Sequence, residues 1–126
     1  MSILIVEDDA VNAMVLSRML QSAGYLTVMA SNGKEALLTM AKTSGIQLII
    51  TDYMMPEMDG LEFLEKVRAL PKFSHVPILI ASAHGDLETV KRAKNLHCEG
   101  FLIKPLNKQQ VIERVKQLLG LAVDLV

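Results

Sequence analysis

The chain has a single cysteine, Cys98, so no disulfide can close within it. A reducing compartment suits such a chain, and Cys98 reads as a small, partly buried apolar residue rather than a reactive thiol. Charge of one sign is equally scarce. Thirteen Lys and Arg face fourteen Asp and Glu, a net charge of -1, so no global field draws the chain to nucleic acid or to an anionic membrane. No apolar run approaches the roughly 20 residues that cross a bilayer. Ile3–Val6 is followed at once by three acids, which is not the start of a signal peptide. His75, His84 and His97 lack the paired spacing of zinc ligands. Repeats, linkers and low-complexity segments are missing too. With 126 residues there is room for one domain of about 100–200 residues. What remains is a single-domain protein of the cytoplasm. Its 51% hydrophobic and 21% charged residues exclude a disordered chain.

What is present is an alternation. Ile3–Val6, Tyr25–Ala30, Leu48–Ile50, Ile78–Ala81 and Phe101–Ile103 are short aliphatic runs, the pattern of strands buried on both faces. Between them lie helical stripes. The first is Val11, Val15, Met19 and Ala23, with Leu16 and Leu20 alongside. The others are Ala36, Leu37, Met40 and Ala41; Leu61, Leu64, Val67 and Leu70; Leu87, Val90 and Ala93; and Val111, Ile112, Val115, Leu118 and Leu119. Asn32 before Glu35 and Asn107 before Gln110 resemble capping boxes, and Asp86 suits the cap of the fourth helix. Gly24 and Gly45 follow helix ends as left-handed stops. The order (βα)₅ implies an α/β fold, a doubly wound, five-stranded parallel sheet of order 2-1-3-4-5. Ligands of such sheets bind beyond the carboxyl ends of the strands.

Those ends are chemically distinctive. Strand 1 ends in Glu7-Asp8-Asp9, strand 3 in Thr51-Asp52, strand 4 in Ser82 and strand 5 in Lys104-Pro105. The acids sit in a net -5 half, residues 1–63, against net +4 for residues 64–126. Bringing Asp8 and Asp52 together costs several kcal/mol in repulsion unless a cation offsets it. An all-oxygen site suits Mg²⁺. Asp9 reads as a cap of the first helix. Asp52, at the end of the central strand, is the best nucleophile candidate. A carboxylate can attack a phosphoryl group to form an acyl phosphate, given Mg²⁺, the Lys104 ammonium and the Ser82 hydroxyl to neutralise the transferring oxygens.

Four segments together resemble the receiver domain of two-component response regulators: Ile3–Asp9, Ile49–Gly60, Pro77–Ala83 and Phe101–Pro105. The resemblance spans essentially the whole chain and implies a flavodoxin-like receiver fold over residues 1–120. Residues 121–126 would be a C-terminal tail or the start of a linker. It implies Asp52 as phospho-acceptor, and Mg²⁺ held by Asp8, Asp52 and the Met54 backbone carbonyl, with Glu7 acting through water. Ser82 and Lys104 would bind phosphoryl oxygens. Phe101 would be an aromatic switch, turning inward as Ser82 moves. Met54 and His84 would tune the phosphoryl lifetime, and the apolar Met54 predicts slow hydrolysis. The implied donor is a histidine kinase or a histidine phosphotransfer protein. The implied readout is the surface of helix 4, strand 5 and helix 5, acting on an output domain, a partner protein or a second copy in a phosphorylation-dependent homodimer. The receiver would catalyse its own phosphotransfer and slow autodephosphorylation without being a turnover enzyme.

Other readings are weaker. An aspartate-nucleophile phosphatase of the haloacid dehalogenase type needs a second Asp where Met54 stands. A flavodoxin needs a phosphate-binding loop where strand 1 ends in acids. Met54, Met55 and Met58 suggest an adaptable docking surface by the site. Lys91, Arg92 and Lys94 form a basic strip on helix 4, either a solvated face or a partner-binding one.

Overall fold

The computed structural model describes residues 1–83 and 85–119. Strands and helices alternate: β1 (Ser2–Val6), α1 (Ala10–Ser22), β2 (Leu26–Ala30), α2 (Gly33–Lys42), β3 (Ile46–Asp52), α3 (Gly60–Arg68), β4 (Ile78–Ser82), α4 (Leu87–Asn95), β5 (Gly100–Ile103) and α5 (Lys108–Leu119). A short 3-10 turn, Pro71–Phe73, follows α3. All strand pairs are parallel, in the order β2-β1-β3-β4-β5. This is the expected doubly wound sheet. The 121–126 tail lies outside the described residues.

Side-chain alternation along the strands divides the core into two layers. Ile3, Ile5, Leu48, Ile50, Leu79 and Ala81 meet α1 and α5 through Ala13, Leu16, Leu20, Val111 and Val115. Leu4, Val6, Ile49, Ile78 and Ile80 meet α2, α3 and α4 through Ala36, Met40, Phe63, Leu64, Val67 and Ala93. Every residue of β1 and β4 is buried, as strands covered on both faces must be. β2 departs from this expectation. It is an edge strand, and Leu26 and Met29 face solvent.

The first helical stripe is also corrected. Ala13, Leu16, Ser17 and Leu20 form the buried face of α1, whereas Val11 is 71% exposed and Val15 49%. Two apolar stripes run along one helix, and four-residue spacing alone did not say which of them meets the sheet. Leu87, read as part of the α4 stripe, is likewise exposed.

The caps are as the sequence implied. Asp9 Oδ1 accepts from the Val11 and Asn12 amides at 2.9 and 3.0 Å. Asn32 Oδ1 accepts from Glu35 N at 2.7 Å, Asp86 Oδ1 from Thr89 N at 2.9 Å, and Asn107 Oδ1 from Gln110 N at 3.1 Å. Gly24 ends α1 at φ +92°; Gly45, at φ +78°, serves the turn into β3 rather than the end of α2, whose cap residue is Thr43. A further cap, Asp59 on Glu62 N at 2.9 Å, starts α3 directly beyond the β3 end.

There the packing leaves no room for a side chain. A Cβ on Gly60 would stand 2.8 Å from the Asp52 carbonyl oxygen and 3.0 Å from Tyr53 Cα, both backbone. The Gly60 amide also donates to the Tyr53 carbonyl at 2.7 Å. Gly60→Ala is therefore expected to cost about 1–3 kcal/mol of stability, the usual penalty of overpacking. Urea denaturation would show this as a lowered midpoint at unchanged m value; an unchanged midpoint would contradict it.

Candidate functional site

The site is assembled by register. β1 and β3 lie side by side, and Val6 pairs with Thr51, so Glu7 and Asp52 follow at the same height. On the other side Asp52 pairs with Ala81, and Ser82 with Ile103, which brings Ser82 and Lys104 to that level. The Lys104 amide donates to the Ser82 carbonyl at 2.8 Å. Four strand ends separated by up to 97 residues thus converge.

Glu7, Asp8 and Asp52 each turn a carboxylate oxygen to one place, all three oxygens within 4.8 Å of one another. Glu7 and Asp52 are buried, and Asp8 is exposed at the mouth. The Lys104 ammonium donates to Glu7 Oε1 at 3.0 Å and lies 3.1 Å from Asp52 Oδ1. One cation thus bridges two of the three acids. Partial burial works against the charged lysine, but the hydrogen bonds to Glu7 and Asp52 and their charges outweigh it and hold Lys104 above the ordinary lysine range. Asp8 is held above the usual carboxylate range, first by a hydrogen bond shared with Glu7 and then by burial. Three carboxylates share one lysine here, so the site is short of positive charge. Three hard oxygen donors at its open side match the preference of Mg²⁺.

Ser82 is buried at 2% exposure, on the strand next to Asp52. Phe101 is half-buried at the β5 edge and packs against the core layer under α3 and α4. A Cβ on Gly85 would lie 4.0 Å from its ring and would clash with Ile103, so the backbone at Gly85 runs close over both side chains. Met54 is 67% exposed, two residues beyond Asp52. His84 lies outside the described residues. Pro105 follows a cis peptide bond from Lys104.

The methionines do not form one docking surface. Met55 and Met58 are half-buried and pack into the core, with Thr51 Oγ1 near the Met55 sulfur at 3.9 Å. Met58 fills the space a side chain on Gly33 would need. Only Met54 faces solvent. Lys91, Arg92 and Lys94 are all exposed on α4. Cys98 is half-buried, its Sγ near the carbonyls of Ile78 and Gly100, and burial pushes the thiol up, away from reactivity. Two features went unread in the sequence. Arg68 ties α3 to the carbonyls of Val76 and His97 and to Glu99 at 2.6, 2.8 and 2.8 Å. A cavity also lies beside the acids, between α1 and the turn after β5.

Comparison with known proteins agrees with this geometry. The family model described as response regulator receiver domain matches residues 3–116. The chain is 33% identical to the two-component response regulator ORR3 of Oryza sativa over 109 residues, 86% of this chain and 83% of that protein. It is 31% identical to a chemotaxis protein CheY homolog of Campylobacter jejuni over 121 residues, 95% of this chain and 93% of that one. Among solved structures, the chemotaxis protein CheY4 of Vibrio cholerae superposes with a TM-score of 0.88 at 31% identity, covering 93% of this chain and 97% of its own. No helix among the described residues is long and apolar enough to cross a membrane.

Proposed function

The chain belongs to the response regulator receiver domain family of two-component signalling, and from that premise we propose that Asp52 accepts a phosphoryl group in a Mg²⁺-dependent transfer. The observation that carries the reading is Lys104 held between Glu7 and Asp52 beside an exposed Asp8. A nucleophile, a fixed cation and a set of hard oxygen donors stand together at the end of the central strand. Glu7, Asp8, Asp52 and the Met54 carbonyl would hold the Mg²⁺, with Glu7 acting through water. When bound, the ion supplies positive charge to the phosphoryl oxygens. Asp52 attacks phosphorus through a carboxylate oxygen. The Lys104 ammonium pairs with one phosphoryl oxygen, and the Ser82 hydroxyl donates to another.

The new phosphoryl group carries about two negative charges. It competes for Lys104, which Glu7 and Asp52 now share, and draws Ser82 toward it. Phe101, half-buried at the sheet edge, then has space to turn inward. The face of α4, β5 and α5 is the surface that changes for a partner, an output domain or a second copy. The donor is a histidine kinase or a histidine phosphotransfer protein. Residues 1–120 form the receiver. Incubation with Mg²⁺ and acetyl phosphate or a phosphorylated kinase domain tests the reading. An acid-stable, base-labile phosphoryl adduct is expected, and its absence would overturn it. Steady turnover of small phosphate esters would instead favour a phosphatase.

Two further outcomes are expected. Met54 offers no carboxamide or carboxylate to orient an attacking water, so the aspartyl phosphate is long-lived. Met54→Asn should shorten its half-life about tenfold, less than the roughly 10²–10⁴-fold of a full general base, because a carboxamide orients the water without taking its proton. A wild-type half-life of seconds, unchanged in the variant, would sink this.

The second concerns Asp8. A carboxyl held up in the folded state stabilises the fold fully below the ordinary value of 3.8. That contribution is lost as pH rises through the folded value, because the folded state then gives up a proton it holds more firmly than the unfolded chain does. At neutral pH without metal, Asp8 therefore works against the fold. Asp8→Asn should melt above wild type in a chelator. Wild type should gain about 2.7 kcal/mol at a hundredfold excess of Mg²⁺ over its Kd, and the variant far less. Thermal melts with EDTA and with Mg²⁺ check both statements.

A further inference from the structure

The sheet has two open edges, β2 and β5, and they differ. β5 is short, and Arg114 of α5 lies against it. Its guanidinium donates to the Glu99 carbonyl at 3.3 Å and stands 2.9 Å from where a Cβ on Gly100 would sit. β2, Leu26–Ala30, contains no charged residue and no proline, and pairs with β1 in unbroken register. Leu26 is 66% exposed and Met29 48%. Monomeric proteins guard such an edge with a lysine, a proline or a bulge, because its free N–H and C=O groups invite another strand.

The direction of those groups follows from one bond. The Ala30 carbonyl accepts from the Glu7 amide at 3.0 Å, so it faces β1. Backbone groups alternate in direction along a strand, so Leu26 and Val28 face β1 as well, and the N–H and C=O of Thr27 and Met29 point away from the sheet. Two outward residues separated by one are self-complementary. In an antiparallel pair with a second copy, Thr27 exchanges both its bonds with the second copy's Met29, and Met29 with its Thr27. Val28 then meets its counterpart on the two-fold axis.

The flanking helices fit that symmetry. On α2, Leu37 and Ala41 turn toward α3, which leaves Glu35 in the first turn and Lys42 in the last on the flank beside the open edge, both exposed. A two-fold axis through Val28 sets the two α2 helices antiparallel, so each Glu35 approaches the other copy's Lys42. On α1, Ser17 and Gln21 bond to Thr27 Oγ1, which turns that side of the helix to the edge. Met14, one turn earlier and 48% exposed, adds apolar area there. A stable dimer buries about 1,200 Å² or more, so these flanks are needed beside the strand. We propose that β2 is a homodimerisation edge, at which two copies join their sheets antiparallel through Thr27, Val28 and Met29. The edge lies across the sheet from α4 and β5 and apart from the phosphoryl site, so this dimer needs neither Mg²⁺ nor a phosphoryl group.

The test is sedimentation equilibrium of the full chain in EDTA from about 1 µM to 1 mM, a span that covers weak and strong association. The mass should rise from monomer to dimer. Met29→Lys should raise the dissociation constant about tenfold or more, by setting two lysines beside the axis. Met29→Pro removes an outward N–H without touching the β1 ladder and should act likewise. Glu35→Lys should weaken the dimer, and adding Lys42→Glu should restore it. Met29, Glu35 and Lys42 are exposed, and circular dichroism checks that each variant is folded. In hydrogen exchange the Thr27 and Met29 amides should be protected at high concentration and open at low. A monomer throughout the range would overturn the proposal, as would a dimer that neither Met29 variant weakens. A dimer formed only after phosphorylation would overturn it too, and would point to the face of α4, β5 and α5. Failure of Lys42→Glu to rescue Glu35→Lys would contradict the antiparallel arrangement.

Discussion

Asp52→Asn is expected to lose the phosphoryl adduct altogether. The amide has nearly the shape of the carboxylate, so the strand end and its register with Ala81 remain. It has no anionic oxygen to attack phosphorus, and no other carboxylate stands at the end of β3. Glu7 and Asp8 converge on the same place, but they belong to the loop after β1, and the proposed transfer uses them to hold the metal. The substitution also removes one of three acids clustered at a site with one lysine. The folded protein is therefore expected to be at least as stable as wild type without Mg²⁺, although its chemistry is gone. Loss of the adduct through unfolding is excluded by a melting temperature at or above that of wild type. Labelling of a well-folded Asp52→Asn protein would contradict the assignment.

Lys104→Met is expected to have the second largest effect. The ammonium is held 3.0 Å from Glu7 and 3.1 Å from Asp52 by hydrogen bonding and charge, so it is already positioned before any phosphoryl group arrives. Removal of one such preorganised electrostatic group commonly costs 10²–10³ in rate, and about that loss is expected in the rate of adduct formation at saturating Mg²⁺. The same change leaves Glu7, Asp8 and Asp52 with no cation. Stability in a chelator should fall, and Mg²⁺ should restore more of it than in wild type. The raised folded value of Lys104 means that its stabilisation is fully present below the unfolded value of 10.5 and is lost only as pH rises through the folded value. The difference between wild type and Lys104→Met should thus be constant across neutral pH. A difference that disappears between pH 6 and 8 would show that the lysine does not act through these two carboxylates.

The parts of the site that could be read in the sequence are those fixed by strand order. Glu7, Asp52, Ser82 and Lys104 each sit at the carboxyl end of a short apolar run. A parallel sheet of known order brings such ends together whatever the helices do. Helix caps were legible for a similar reason: Asp9, Asn32, Asp86 and Asn107 act on amides two or three residues away. Asp59 ahead of Glu62 carries the same signal.

What could not be read depends on contacts remote in sequence. The outward turn of Val11 and Val15 depends on which of two stripes on α1 meets the sheet. Met58 points inward because Gly33, more than twenty residues earlier, leaves it room, and Met55 packs against the same core layer. The Arg68 network joins α3 to Val76 and to the turn at His97 and Glu99, and two of its three partners are backbone carbonyls, which leave no trace in residue type. The cavity beside the acids is bounded by α1 and the turn after β5, about ninety residues apart.

The most direct measurement is chemical mapping of the modified residue. The full chain is incubated with Mg²⁺ and acetyl phosphate, reduced with borohydride to convert an aspartyl phosphate to homoserine, digested, and sequenced by mass spectrometry. Homoserine at position 52 and nowhere else is the expected product. Conversion of Glu7, Asp8 or any other carboxylate in its place, or no conversion with Mg²⁺ present, would contradict the assignment of Asp52 as the acceptor.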